Sequence, residues 1–130
     1  MGTVYTPLTP SNARDAELKP VQVRALVDTG TMYLSIPEHV AIQLRLEPLH
    51  QREVTLANGA RHLCPYVGPI RVQFEDRACF TGALILGDEV LMGAIPMEDI
   101  DLVVTPLTRS VTVNPQSPNI PSSLAKSGSV

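Results

Sequence analysis

The stretch VQVRALVDTGTMYLSI, Val21–Ile36, decides how the chain is read. Val21, Val23, Ala25 and Val27 alternate with Gln22, Arg24 and Leu26, close to the period of two that marks a half-buried strand. The strand ends at Asp28-Thr29-Gly30, a turn-prone tripeptide, and Tyr33-Leu34-Ser35-Ile36 resumes a strand-like pattern. Taken alone, the tripeptide reads as a plain β-turn with Asp at its start and Gly at its end. Its frame argues for more. Surface turns are usually flanked by polar residues, whereas this one joins Ala25-Leu26-Val27 to Leu34 and Ile36. A carboxylate is thereby placed at a tight turn between two buried strands.

Outward from this stretch the pattern is mostly strand. Val4 to Leu8 forms a first strand, followed by a polar turn at Ser11-Asn12. One helix is signalled after Ile36. Ser35 and Glu38 have capping-box spacing, Pro37 falls in the first turn, and Ile36, Val40, Ala41 and Leu44 share a face that fades before Pro48. Val54 to Leu56 then leads into Asn58-Gly59, a strong hairpin signal, with Arg61 to Val67 as the return strand and Gly68-Pro69 as punctuation. Ile70, Val72 and Phe74 point one way, while Arg71, Gln73 and Glu75 point the other. Glu75-Asp76 turns the chain into a strand from Ala78 to Leu86. Val90-Leu91-Met92-Gly93 is a short buried strand, Pro96 to Ile100 is one helical turn or two, and Leu102–Thr105 with Ser110–Val113 closes as a hairpin. From Asn114 the composition turns rich in Pro and Ser, as in a disordered tail. The expectation is a mainly β domain over residues 1–113, with one short helix, and a tail over 114–130.

Composition narrows the function classes. At 130 residues and 44% hydrophobic the chain suffices for one domain with a real core, which must be aliphatic because there is no Trp and there are only three Tyr and two Phe. The net charge is −3, with no basic stripe and no interleaved aromatics, so nucleic acid is not an expected partner. No apolar run reaches membrane-spanning length, and Met1 to Glu17 is polar and broken by Pro7 and Pro10, unlike a signal peptide. Met1-Gly2-Thr3-Val4-Tyr5-Thr6 fits the loose myristoylation pattern, which is short enough to arise by coincidence. Cys64 and Cys79 lack zinc-site spacing; the alternatives are a disulfide between them and the expected reading, two buried thiols in a reducing compartment, with a cytoplasmic location as the default. His39, His50 and His62 share no ligand spacing, and no metal is expected. Ser35 has no His paired to it as a base, Met92 and Met97 read as core, and the glycines form no phosphate loop.

With these residues in order, Ala25 to Ile36 resembles the active-site loop of retropepsin-like aspartic proteases, the retroviral type, and of their small single-lobe bacterial relatives. The resemblance continues through the hairpin tipped by Asn58-Gly59, in the place of the flap. It includes Val90-Leu91-Met92-Gly93 with its following helix, the segment that packs behind the loop. It covers roughly Val21 to Val113. It implies an all-β, barrel-like protomer assembling as a symmetric homodimer, a peptide or protein substrate and no cofactor. It implies Asp28 as the catalytic carboxylate, with Thr29 bonding across the axis and Gly30 allowing close backbone approach. Asn58 and Gly59 would cover bound peptide. Two departures stand out. Ala94 follows Gly93 where viral members carry Arg, and Thr31 follows the tripeptide where they mostly carry Ala. Thr or Ser there is familiar from two-lobed pepsin-like enzymes, whose hydroxyl can bond the catalytic carboxylate.

This chemistry needs two carboxylates sharing one proton. The chain holds a single Asp-Thr/Ser-Gly. Asp15, Asp76, Asp88, Asp99 and Asp101 lie in polar or turn contexts, and a second lobe does not fit in 130 residues. The partner carboxylate therefore has to come from a second copy across a twofold axis. The expected function is an aspartic endopeptidase. The alternatives are a dimeric peptide-binding or scaffolding module of the same fold, and a plain β-domain whose Asp-Thr-Gly is an ordinary turn.

Overall fold

The computed structural model describes residues 2–126, so Met1 and the end of the tail, residues 127–130, lie outside the description. Nine strands and two short helices run in the order β1 (Val4–Asn12), β2 (Val23–Val27), β3 (Leu34–Ile36), α1 (Glu38–Gln43), β4 (Glu47–Thr55), β5 (Arg61–Phe74), β6 (Arg77–Ile85), β7 (Val90–Met92), α2 (Ala94–Ile100), β8 (Leu102–Thr105) and β9 (Ser110–Val113). Strand β1 closes the sheet on itself. Val4–Leu8 pair with β2, and Thr9–Asn12 pair with β5, both antiparallel. The ring β1-β2-β7-β3-β6-β5 is thus a six-stranded barrel, and β4 extends outward from β5 as a hairpin.

The alternation seen in the sequence fills this barrel. Leu8, Ala25, Ile36, Ile70, Val72 and Met92 have at most 1% of their surface exposed. Each buried Val, Leu, Ile or Met side chain among them contributes roughly 1.5–3 kcal/mol. Helix α1 adds Val40 and Ala41 to the core, with Leu44 at its C-cap, and α2 adds Met97 and Ile100.

Several local expectations change. Ser35 does not cap α1. It lies buried in β3, paired with Leu84 and Leu91, and the helix starts after Pro37 with no side-chain cap. The free carbonyls at the other end of α1 are met by Asn12, whose Nδ2 donates to Leu44 O (3.0 Å) and Arg45 O (3.2 Å). That duty makes Ser11-Asn12 the end of β1 rather than a turn. Gly68-Pro69 does not break β5 either. The register shifts between Val67 and Ile70, a bulge that lets the strand run on. The Asn58-Gly59 tip is a three-residue loop, with Leu56 N–H bonded to Ala60 O (2.8 Å) and only Gly59 at positive φ. Helix α2 starts at Ala94, two residues before the turn anticipated at Pro96.

Beyond β9 the described residues form no helix or strand, yet they are tied down at Asp101. Asp101 accepts hydrogen bonds from Asn114 Nδ2, Ser117 Oγ and the Ser122 N–H. The Ser117 bond leads these in holding its carboxyl below the usual aspartate range. Buried Arg77 donates to the carbonyls of Ile100, Asp101 and Ser117.

Gly93 sits where the barrel meets α2. A Cβ there would lie 2.5 Å from Tyr33 O and 2.6 Å from Thr31 O. These are backbone atoms and cannot swing aside. Gly93→Ala should therefore lower stability by roughly 2–3 kcal/mol, seen as a drop in the urea midpoint; an unchanged midpoint would refute this packing. Cys64 and Cys79 are both buried and unpaired, and burial pushes the Cys79 thiol up to about 12. Iodoacetamide at pH 8 should leave both thiols unmodified in the folded protein and label them after unfolding. Fast labelling of the native protein would contradict this.

Candidate active site

Asp28 is set at the rim of the barrel by its neighbours' backbone. β2 runs parallel to β7, with Val27 opposite Met92, and the next bond in the ladder runs from Asp28 N–H to Met92 O (3.1 Å). The chain then turns, with Thr31 N–H on Asp28 O (3.2 Å). The loop is fastened to the start of α2 by Ala94 N–H on Thr31 O (2.7 Å) and Ile95 N–H on Met32 O (2.9 Å). Asp28, Thr29, Gly30, Thr31 and Gly93 are thereby brought together.

Two donors inside the loop orient the carboxylate. Gly30 N–H donates to Asp28 Oδ1 (3.0 Å), and the Thr31 hydroxyl donates to Oδ2 (3.1 Å). Any Cβ on residue 30 would sit 3.2 Å from Oδ1, a contact tight enough to disturb the first of these bonds. Both carboxylate oxygens are thus fixed without any cation. Asp28 and Thr29 are exposed, and the Thr29 hydroxyl has no hydrogen-bond partner among the described residues. β3 is fully buried, whereas of β2 only Ala25 is, and the turn itself faces outward.

A groove of about 770 Å³ opens beside them, its lining including Val27, Asp28, Thr29, Met97, Leu102 and Val104. Glu98 also lines it, and its carboxylate accepts no hydrogen bond among the described residues, so nothing presets it.

Asn58 and Gly59 make no hydrogen bond to this loop among the described residues. The tip is exposed, stabilised by Asn58 Oδ1 accepting from Ala60 N–H (2.9 Å), and open space surrounds Gly59. The hairpin meets the loop lower down. On its stem, Arg52 donates to the Tyr33 hydroxyl, and its guanidinium lies 4.5 Å from the Tyr33 ring centre and 4.8 Å from that of Tyr66. His50 stacks on Tyr66 at 4.7 Å. Sequence reasoning missed this cluster. Its partners are far apart along the chain, and the one local trace is that His50 and Arg52 fall on the same face of β4.

No protein-family model and no curated protein matches the chain by sequence. Solved structures do resemble it. The retroviral protease-like domain of Ddi1 from Leishmania major superposes with a TM-score of 0.59 at 14% identity, covering 88% of this chain and 90% of that one. A retropepsin-like aspartic protease from Rickettsia conorii gives 0.46 at 15% identity, over 80% and 88% of the two chains. The simian foamy virus (mac) protease gives 0.45 at 15% identity, over 71% and 91%. A barrel closed by β1, a loop fastened against the β7–α2 segment and the first of these superpositions together give the chain a retropepsin-like fold.

Proposed function

We propose that the protein is an aspartic endopeptidase whose active site forms between two copies of the chain, each contributing Asp28. The observation that carries this reading is the Asp28 carboxylate itself. It is oriented by Gly30 N–H and the Thr31 hydroxyl, and it is exposed at the rim of a retropepsin-like barrel. The Gly30 bond is that of an ordinary Asx turn, made also at Asn12, Asp15, Asn58 and Asn114, whereas the Thr31 hydroxyl on the second oxygen is an addition that none of those four turns carries. The unpartnered Thr29 hydroxyl beside it suits a bond across a twofold axis. The flanking groove, largely apolar in its lining, suits contact with a second copy. Ala94, in place of the viral Arg, offers the loop no side-chain donor, and the contacts from this segment are the backbone bonds from Ala94 and Ile95.

In the assembled site, two carboxylates brought close share one proton, because like charges at that range do not both ionise. The ionised Asp28 takes a proton from water as the water oxygen attacks the scissile carbonyl carbon. The protonated Asp28 of the other copy donates to the carbonyl oxygen. The tetrahedral intermediate then collapses, its C–N bond breaks, and the amine leaves with a proton from the pair. Thr31 and Gly30 keep the carboxylates in the geometry of attack. The hairpin ending in Asn58-Gly59 closes over the extended peptide, which pairs main chain to main chain with the cleft.

Asp28→Asn should reduce cleavage of a mixed-sequence peptide library at mildly acid pH by at least roughly a hundredfold, with assembly and unfolding midpoint unchanged. Equal cleavage by the variant would remove Asp28 from the mechanism. Dimerisation and peptide binding without cleavage by either protein would favour a scaffolding module instead.

A further inference from the structure

The stem of the hairpin carries a cation with no anion. Along β4, Arg52 and Val54 are half-buried while Gln51, Glu53 and Thr55 are exposed, so one face of the hairpin looks toward the protein body. On β5, Cys64 and Tyr66 lie opposite Arg52 and His50 on that face. Tyr66 is seated on Gly82, where a Cβ would fall 2.3 Å from its ring. The Arg52 guanidinium rests over the rings of Tyr66 and Tyr33, donates to the Tyr33 hydroxyl, and places Nη2 3.1 Å from His50 Nε2.

Every one of these partners is neutral or shares the cation's own sign when protonated. The ion pairs among the described residues use Arg14 with Glu47 and Arg61 with Glu53, and no carboxylate lies within 4.0 Å of Arg52. A guanidinium carries five N–H donors. Two are engaged here, one on each terminal nitrogen, and Nε, which bonds nothing among the described residues, is not buried. Aromatic faces hold the planar group in one orientation and leave its edge free to grip a carboxylate with two parallel hydrogen bonds. Tyr33, the platform on the barrel side, is in the same loop as Asp28.

We infer that Arg52, held by Tyr33 and Tyr66, is a specificity-determining residue that receives a carboxylate of the bound peptide. This rests on the protease reading only in placing the peptide under the hairpin. The carboxylate is supplied by an Asp or Glu side chain or by a free chain end. Peptides that differ only by Glu against Gln, or by a free against an amidated C-terminus, separate these two sources.

The test is cleavage of a mixed-sequence peptide library by the full chain, read by mass spectrometry, beside binding of the matched peptides to Asp28→Asn. At one fixed distance from the cut, or at the free end, the acidic form should be favoured about tenfold, equivalent to about 1.4 kcal/mol. Arg52→Gln should abolish the preference, Arg52→Lys should keep part of it, and Arg52→Glu should turn it toward Lys. No acidic preference in the parent, or the same preference in Arg52→Gln, overturns the assignment. So does an equal fall for all sequences in Arg52→Gln, which marks Arg52 as a structural clasp. Acid-selective binding by Asp28→Asn when the parent cuts nothing supports the subsite and sinks the protease reading. Cleavage without acid selectivity does the reverse.

Discussion

The position of Asp28 depends on a close backbone contact that tolerates no side chain. The Asp28–Met32 loop lies directly against Gly93, near enough for Ala94 N–H to reach Thr31 O at 2.7 Å and Ile95 N–H to reach Met32 O at 2.9 Å. A methyl group at residue 93 would occupy the space those carbonyls fill. Gly93 is at φ −85 and ψ −170, an extended conformation open to any residue, so the requirement is one of space and not of conformational freedom. From that contact the rest follows in order. β7 aligns β2 in parallel, the last β2 residue delivers Asp28 to the rim, and the turn aims Gly30 N–H and the Thr31 hydroxyl at its two carboxylate oxygens.

A carboxylate prepared in this way is left in water by the single chain. Removing a charge from water is costly unless hydrogen bonds or a shared proton compensate. An isolated protomer avoids that cost by keeping Asp28 exposed. In the proposed dimer the desolvation comes together with the second carboxylate, and the Gly30 and Thr31 donors are already in place. The same logic applies to Arg52. Its guanidinium is held by two aromatic faces and the His50 ring in place of an internal acid, which leaves it able to meet one brought by a ligand.

Much of this was legible in the chain because the deciding signals are local. The alternation of Val21–Val27, the Asp-Thr-Gly turn, the Asn58-Gly59 hairpin, the short Val90–Met92 strand and the closing hairpin from Leu102 to Val113 each need only neighbouring residues to be read. What could not be read depends on distant partners. Nothing in Val4–Asn12 shows that one strand serves two neighbours and so closes the barrel. Ser35 fits a capping box by spacing, but burial between β6 and β7 outweighs a cap worth about 1 kcal/mol. The stacking of Arg52 between Tyr33 and Tyr66 joins three separate segments, and no spacing rule connects them.

Coupling between assembly and chemistry tests the shared site most directly. Sedimentation velocity over a wide range of concentrations, run beside cleavage of the same peptide library, reports both quantities on one protein. A site made from two Asp28 side chains predicts a monomer–dimer equilibrium and a cleavage rate per chain that rises in proportion to the dimer fraction. Full activity at concentrations where only monomer sediments, or a chain that remains monomeric at every concentration and cuts nothing, would contradict it.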